Sequence, residues 1–115
     1  MRETKFRGMV IHKGTWVYGY LAGDDQIMKW QRNGTGNMYQ VLPETVGEYT
    51  GLKDKNRVEI YEGDICDWCS GRVIDYVELK DNEGWKMRDL YNINWWEDVE
   101  VIGNIHDNPE LLKGD

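Results

Sequence analysis

The clearest strand signal in the chain is Trp16-Val17-Tyr18-Gly19-Tyr20-Leu21. Aromatic and β-branched residues favour an extended strand, and a Lys13-Gly14 turn separates this one from another candidate strand at residues 6–11. The pair predicts an antiparallel hairpin. Further along, residues 27–30 and 38–42 flank a loop containing Asn33-Gly34, which predicts a second hairpin because Asn and Gly tolerate positive φ.

The remaining sequence continues as short candidate strands between polar turns. Residues 43–51 interrupt the strand pattern, and their Pro43-Glu44-Thr45 start predicts a helical turn, as does Asn108-Pro109 near the end. We therefore predict a mainly β fold, with small antiparallel sheets or a partly open barrel that is SH3-like in its second half, and one or two short helical turns. The further strands are predicted at residues 58–61, 65–68, 72–79, 85–87, 91–95 and 99–103.

Length and composition predict one domain over residues 1–115, with the junction of a two-part sheet near residues 45–61. Six Trp and seven Tyr supply most of the apolar area that a core of this size needs. No run approaches the roughly 18 apolar residues of a membrane span, and residues 1–7 lack the apolar stretch of a secretory signal. We expect no membrane contact and a cytoplasmic location.

The charge is divided unevenly along the chain. Residues 1–58 carry nine Lys and Arg against six Asp and Glu, whereas residues 59–115 carry five against fifteen, so the halves sum to the net charge of −7. Overall acidity makes general nucleic-acid binding the less favoured reading, because phosphate contacts require many cations. The imbalance indicates either a solvating acidic surface or charge complementarity between the halves, within one chain or between subunits.

Three parts of the chain resemble one family. They are Pro43-Glu44-Thr45-Val46-Gly47-Glu48-Tyr49-Thr50-Gly51-Leu52-Lys53-Asp54-Lys55-Asn56 with Glu59-Ile60-Tyr61-Glu62-Gly63-Asp64-Ile65 in the middle, Lys5-Phe6-Arg7-Gly8 with Gly14-Thr15-Trp16-Val17-Tyr18-Gly19-Tyr20 at the start, and Glu100-Val101-Ile102-Gly103-Asn104-Ile105-His106-Asp107-Asn108-Pro109-Glu110-Leu111-Leu112 at the end. In these motifs the chain resembles the YopX-like family of phage and prophage proteins.

The resemblance implies a short, largely β, phage-associated protein without an assigned activity. It supplies no catalytic residue, cofactor site or metal site, and we assign none. The family often has Gly where this chain has Arg57, so we expect the preceding Asn56 to take the positive-φ position of that turn.

Cys66-Asp67-Trp68-Cys69 has the spacing of half a zinc site or of a redox dithiol. The other candidate ligands, His12 and His106, are distant in sequence, and a reactive dithiol is expected at a helix N-terminus rather than on a strand. We therefore interpret the two cysteines as ordinary small apolar residues.

Four acidic residues invite comparison with a metal-dependent nuclease cluster: Asp64, Asp67, Asp75 and Glu78. Asp64 is better explained by its turn, where a carboxylate accepts a nearby backbone N–H. We expect the other three to point outward from their strands as solvating charges.

The Trp95-Trp96 pair precedes Glu97-Asp98. Neighbouring strand residues face opposite sides, so one indole can be buried while the other anchors an interface or stacks on a base. Stacking on nucleic acid calls for basic neighbours, and these are acidic. A protein interface or simple core packing is the preferred interpretation.

We expect a non-enzymatic accessory module that binds protein and self-associates as a homo-oligomer, with a phage or host protein as another possible partner. The alternative is an SH3-like or OB-like nucleic-acid-binding module in phage DNA metabolism or regulation. That alternative would use the cations of the basic half, which are Arg2, Lys5, Arg7, Lys53, Lys55 and Arg57.

Overall fold

The computed structural model describes residues 5–30, 32–68, 73–80, 84–87 and 98–112. Short 3₁₀ turns occupy Pro43–Thr45 and Pro109–Leu112, and most of the other regular structure of the described residues is strand. The chain is mainly β, as predicted. Its strands are β1 (Phe6–Met9), β2 (Trp16–Gly23), β3 (Gln26–Trp30), β4 (Gly36–Gln40), β5 (Gly47–Lys53), β6 (Glu59–Tyr61), β7 (Asp64–Trp68), β8 (Val73–Lys80), β9 (Gly84–Met87) and β10 (Glu100–Asn104).

The first of two compact units spans Met1–Tyr49. Its described strands lie in the order β4-β3-β2-β1-β5 and every paired neighbour is antiparallel. Arg7 lies opposite Tyr18 in the β1–β2 pair, and Tyr20 lies opposite Met28 in the β2–β3 pair. Both predicted hairpins, β1–β2 and β3–β4, are confirmed.

The second unit spans Thr50–Asp115. Its antiparallel sheet has the order β10-β7-β8-β9, and the later residues of β5 lie next to β6. Cys66 in β7 lies opposite Asp75 in β8 and Val101 in β10. As far as the chain is described, both sheet orders are open, so neither sheet is closed into a barrel. The SH3-like topology of the second half stays a prediction.

Each unit has its own apolar core. In the first unit Val17, Ile27 and Val41 are buried, and Phe6 packs against them. In the second unit the buried cluster is Ile60, Cys66, Val77 and Val99, with Leu52, Trp68, Val73 and Val101 packed around it. Strand alternation explains both cores, because every second side chain of a strand reaches the same face.

The structure corrects the prediction for residues 47–51. They form the first part of β5, which pairs with β1 through Gly47 opposite Arg7 and Glu48 opposite Phe6. Glycine has a low strand propensity, so the presence of Gly47 and Gly51 argued against a strand here. Backbone pairing with β1 overrides that local preference.

The turn after β5 also differs from expectation. Arg57, not Asn56, takes the left-handed conformation, at φ 66°. The reason lies in the hydrogen bonds of the turn, because the Asn56 N–H and the Val58 N–H both donate to Oδ1 of Asp54. That pattern leaves the residue between them to make the reversal.

The prediction that Asp75 points outward is wrong. Asp75 is buried, and its Oδ1 accepts the N–H of Tyr76. In β8 it is the exposed Ile74 that faces outward, so Asp75 shares the inward phase with Val77. Asp67 and Glu78 are half-buried rather than fully exposed.

Within the described ranges, no helix is long and apolar enough to cross a membrane.

Candidate functional site

The first unit contains a cleft of about 530 Å³. We call it the aromatic–lysine cleft, because six of its seven lining residues are aromatic or cationic and the described lining includes no Asp or Glu. It is lined by Lys5, Tyr18, Gly19, Tyr20, Lys29, Trp30 and Tyr49. Its volume falls within the roughly 300–1,000 Å³ typical of small-ligand sites.

Strand alternation explains why rings gather in this cleft. Tyr18 and Tyr20 are two residues apart in β2, so they share the face opposite to the buried Val17. Trp30 ends the neighbouring strand β3, and Tyr49 lies in β5, where its N–H donates to the Lys5 carbonyl. The core side chains take one face of the sheet, and these rings take the other.

Two rings of the cleft are open to solvent. Trp30 is 56% exposed and Tyr18 is 44% exposed, whereas Tyr20 and Tyr49 are half-buried. Large exposed aromatic side chains at one site mark a binding surface more often than isolated exposed apolar residues do. Trp30 and Tyr18 are therefore the rings of the cleft most accessible to a ligand.

Gly36 leaves room for the Trp30 indole. It pairs directly with Trp30 across β3 and β4, and a Cβ there would lie 3.2 Å from Cε3 of Trp30 and 2.5 Å from Sδ of Met28. Trp30 and Met28 therefore occupy space that any side chain at position 36 would need. This cross-strand packing holds one part of the indole against backbone while the rest remains exposed.

Cation–π contacts hold Lys5, which precedes β1, and Arg7 of β1 against aromatic rings. The Lys5 Nζ lies 5.2 Å from the centre of the Tyr49 ring, and the Arg7 guanidinium lies 4.8 Å from the centre of the Trp16 ring. Lys5 lines the cleft, whereas Arg7 is 6% exposed and is part of the folded interior.

Lys29 borders the cleft differently from Trp30. It is exposed and precedes Trp30 in β3, so alternation directs its side chain to the other side of the strand. Its ammonium adds positive potential at this end of the strand. We assign direct ligand contact to Lys5 and only a field effect to Lys29.

The second unit contains a polar centre built on a buried carboxylate. Asp54 is 4% exposed; its Oδ1 accepts the N–H groups of Asn56 and Val58, and its Oδ2 accepts the Val101 N–H at 2.9 Å. The Lys55 N–H donates to the Val99 carbonyl close by. These bonds join the β5–β6 turn to β10, which is a structural role.

Asp64 confirms its predicted turn role, because its buried Oδ2 accepts the Tyr61 N–H at 2.7 Å. Cys66 follows it in β7, and burial raises the pKa of the Cys66 thiol, with a smaller contribution from the negative charges of Asp64 and Asp54. A buried thiol with a raised pKa is inert as a nucleophile.

Several residues singled out from the sequence fall elsewhere. Cys69, Trp95 and Trp96 lie outside the described residues, so the second half of the cysteine motif and the tryptophan pair stay as predictions. Within the described ranges no group of three or more His, Cys, Asp and Glu side chains is placed to hold a metal ion. His12 is exposed in the β1–β2 turn, and His106 is half-buried beside the last 3₁₀ turn.

The predicted basic residues fall in different parts of the chain. Arg2 lies outside the described residues, Lys5 lines the cleft, and Arg7 is buried. Lys53, Lys55 and Arg57 belong to the second unit, where Lys55 pairs with Glu100 at 3.7 Å.

Five cleft residues were missed by sequence reasoning: Tyr18, Tyr20, Lys29, Trp30 and Tyr49. The alternation of Trp16, Tyr18 and Tyr20 was a usable signal, since three rings on one strand face exceed what a core beside Val17 needs. Tyr49 carried no such signal, because its strand was not predicted.

Comparison with known proteins identifies a family and a related crystal structure. The family model described as YopX protein matches residues 5–113. The crystal structure of protein EF1440 from Enterococcus faecalis is similar, with a TM-score of 0.62 and 26% sequence identity over 97% of this chain and 99% of that chain. No curated protein matches the chain.

Proposed function

The chain belongs to the YopX family, and from that premise we propose that it is a non-enzymatic module that binds nucleic acid through the aromatic–lysine cleft. The observation that carries the proposal is the meeting of exposed rings and a lysine at one site, with no carboxylate among the described lining residues. Rings stack on bases and lysines attract phosphates.

The local charge of the cleft matters more here than the net charge of −7. A field is set by the charges nearest the ligand, and Lys5 and Lys29 are the charged residues that line the cleft. A stacking tryptophan needs basic neighbours, a condition that Trp95 and Trp96 fail in the sequence and that Trp30 meets. This difference favours nucleic acid over the protein partner that the sequence alone favours.

Fluorescence anisotropy tests the proposal with a labelled single strand and a labelled duplex. We expect binding at about 50 mM salt that weakens several-fold by about 200 mM, because displaced counterions oppose binding as salt rises. Lys5→Ala should weaken binding and lower the salt dependence by about one unit of slope on a log–log plot.

The matched control is Lys13→Ala, which removes a lysine from the exposed β1–β2 turn outside the cleft. It should bind like the unaltered protein. The proposal would be rejected if neither probe binds at about 50 mM salt. It would also be rejected if Lys5→Ala binds with unchanged affinity.

Self-association is the second candidate function, and the divided charge favours it. The basic excess of residues 1–58 and the acidic excess of residues 59–115 are complementary between two copies, and contacts of that head-to-tail kind close into rings. Exposed acidic residues of the second unit that could contribute are Asp98, Asp107 and Glu110. Binding of a phage or host protein would use the same complementarity.

Light scattering tests self-association directly. A mass above one subunit at low salt that falls as salt rises is the expected result, because screening weakens contacts between exposed charges. A single-subunit mass at every concentration and salt would reject it.

On the family resemblance we also propose a phage or prophage setting and a cytoplasmic place of action.

A further inference from the structure

We propose that the aromatic–lysine cleft takes a single strand of nucleic acid whose unpaired bases stack on Trp30 and Tyr18. This inference rests on the proposed nucleic-acid function and narrows it to one class of ligand. The inference rests on the rings rather than on the lysines. The bases of a duplex are already stacked on one another, so a duplex could interact only with the lysine charges and not with the ring faces.

The exposed rings have the properties that stacking requires. Trp30 and Tyr18 lie on adjacent strands and are the two most exposed aromatic residues of the cleft. Gly36, opposite Trp30 in β4, has no Cβ, and a Cβ there would come within 3.2 Å of the indole, so one edge of the ring packs over the glycine while the rest stays open to a base.

The position of the Lys5 ammonium suits single-stranded nucleic acid better than a duplex. Lys5 lies over Tyr49, so its ammonium belongs to the cleft wall and not to a projecting surface. A phosphate can reach it when the attached base enters the cleft. The volume of about 530 Å³ has room for one or two nucleotides, whereas a duplex is far wider.

Stacking without edge contacts predicts weak sequence preference. Every base has a face to offer, so affinity should follow stacking strength rather than a defined sequence. It should also increase from one nucleotide to two or more, because neighbouring bases can stack on Trp30 and Tyr18 while a phosphate between them reaches the Lys5 ammonium.

The test uses the full chain and three probes: an oligo-dT of about a dozen residues, the same oligonucleotide paired with oligo-dA, and thymidine monophosphate. We expect the single strand to bind at least about tenfold more tightly than either other probe and to quench tryptophan fluorescence. Trp30→Ala should weaken oligo-dT binding about fivefold or more, whereas Trp30→Phe should retain most of it.

Leu21→Ala is the matched control, because Leu21 is a similarly exposed apolar residue that lies on the other face of β2 from Tyr18. Circular dichroism of each variant confirms that it is folded. If the duplex or the mononucleotide binds as tightly as oligo-dT, or if Trp30→Ala binds it normally, the inference is wrong although the proposed function stands. If no probe binds, the proposed function itself fails.

Discussion

Replacement of Asp54 should destabilise the second unit more than any other single acidic substitution in its described part. The carboxylate accepts three backbone N–H groups at 2.8–2.9 Å while only 4% exposed. Asp54→Ala removes all three acceptors. A buried donor that loses its partner costs about 1–3 kcal/mol, and hydrogen bonds to a charged group lie toward the upper part of that range.

The exposure of the donors sets where in the range the loss should fall. Asn56 and Val58 are exposed, so water can replace part of their lost bonding, whereas Val101 is half-buried beside the core. We expect Asp54→Ala to lower the free energy of unfolding by about 3–4 kcal/mol. Asp54→Asn keeps Oδ1 but turns an amide donor toward the Val101 N–H, so its loss should be about 2 kcal/mol.

Urea unfolding followed by circular dichroism measures both losses, provided that the slope with denaturant is unchanged. Asp98→Asn is the control, because Asp98 is exposed and its replacement should change stability by no more than about 0.5 kcal/mol. A loss below about 1 kcal/mol in Asp54→Ala would refute the reasoning. It would mean that the turn and β10 are held together without this carboxylate.

Three further outcomes follow from the described residues. Arg57→Gly should stabilise the protein by about 0.5–1 kcal/mol in the same urea experiment, because Gly adopts φ 66° without the Cβ conflict; a loss of stability would contradict this. Gly19→Ala should cost about 2 kcal/mol or more, since its Cβ would fall on the carbonyl oxygen of Met28, and an unchanged melting curve would show that β2 and β3 can separate freely. Cys66 should resist alkylation until the protein unfolds, because it is buried. Its raised pKa also makes stability depend on pH. Above about pH 8.5 the unfolded chain releases the thiol proton while the folded protein keeps it, so the free energy of unfolding should fall by up to about 1.4 kcal/mol per pH unit. Cys66→Ala should lack this component, and equal pH slopes in the two proteins would contradict it.

Local patterns were sufficient to predict much of the fold. The Lys13-Gly14 turn and the Asn33-Gly34 loop identify hairpins from adjacent residues, and both are present. Elements made by distant pairing were harder, since β5 contains two glycines and depends on β1, about 40 residues earlier. The prediction that Asp75 of β8 points outward was wrong for a similar reason. Only contact with the core decides whether Asp75 or Ile74 faces inward.

The cleft illustrates the same limit for function. The sequence drew attention to Trp95 and Trp96 because adjacent tryptophans are conspicuous. Trp30 was inconspicuous, since its partners Tyr18 and Lys5 become neighbours only when β3, β2 and β1 pair. The predicted set of basic residues was too large, because it included Arg7, which is buried and not at the surface.

The turn that joins Asp54 to Arg57 constrains how this protein can change over generations. Arg57 occupies a conformation costly for any residue with a side chain, and the bonds of Asp54 hold it there. The two positions are therefore not independent, and the effects of changing both should not add. Glycine at 57 offsets only part of that loss, because Asp54 also accepts the Val101 N–H, so a lineage that acquires the glycine first passes through a less destabilised intermediate than one that loses the aspartate first.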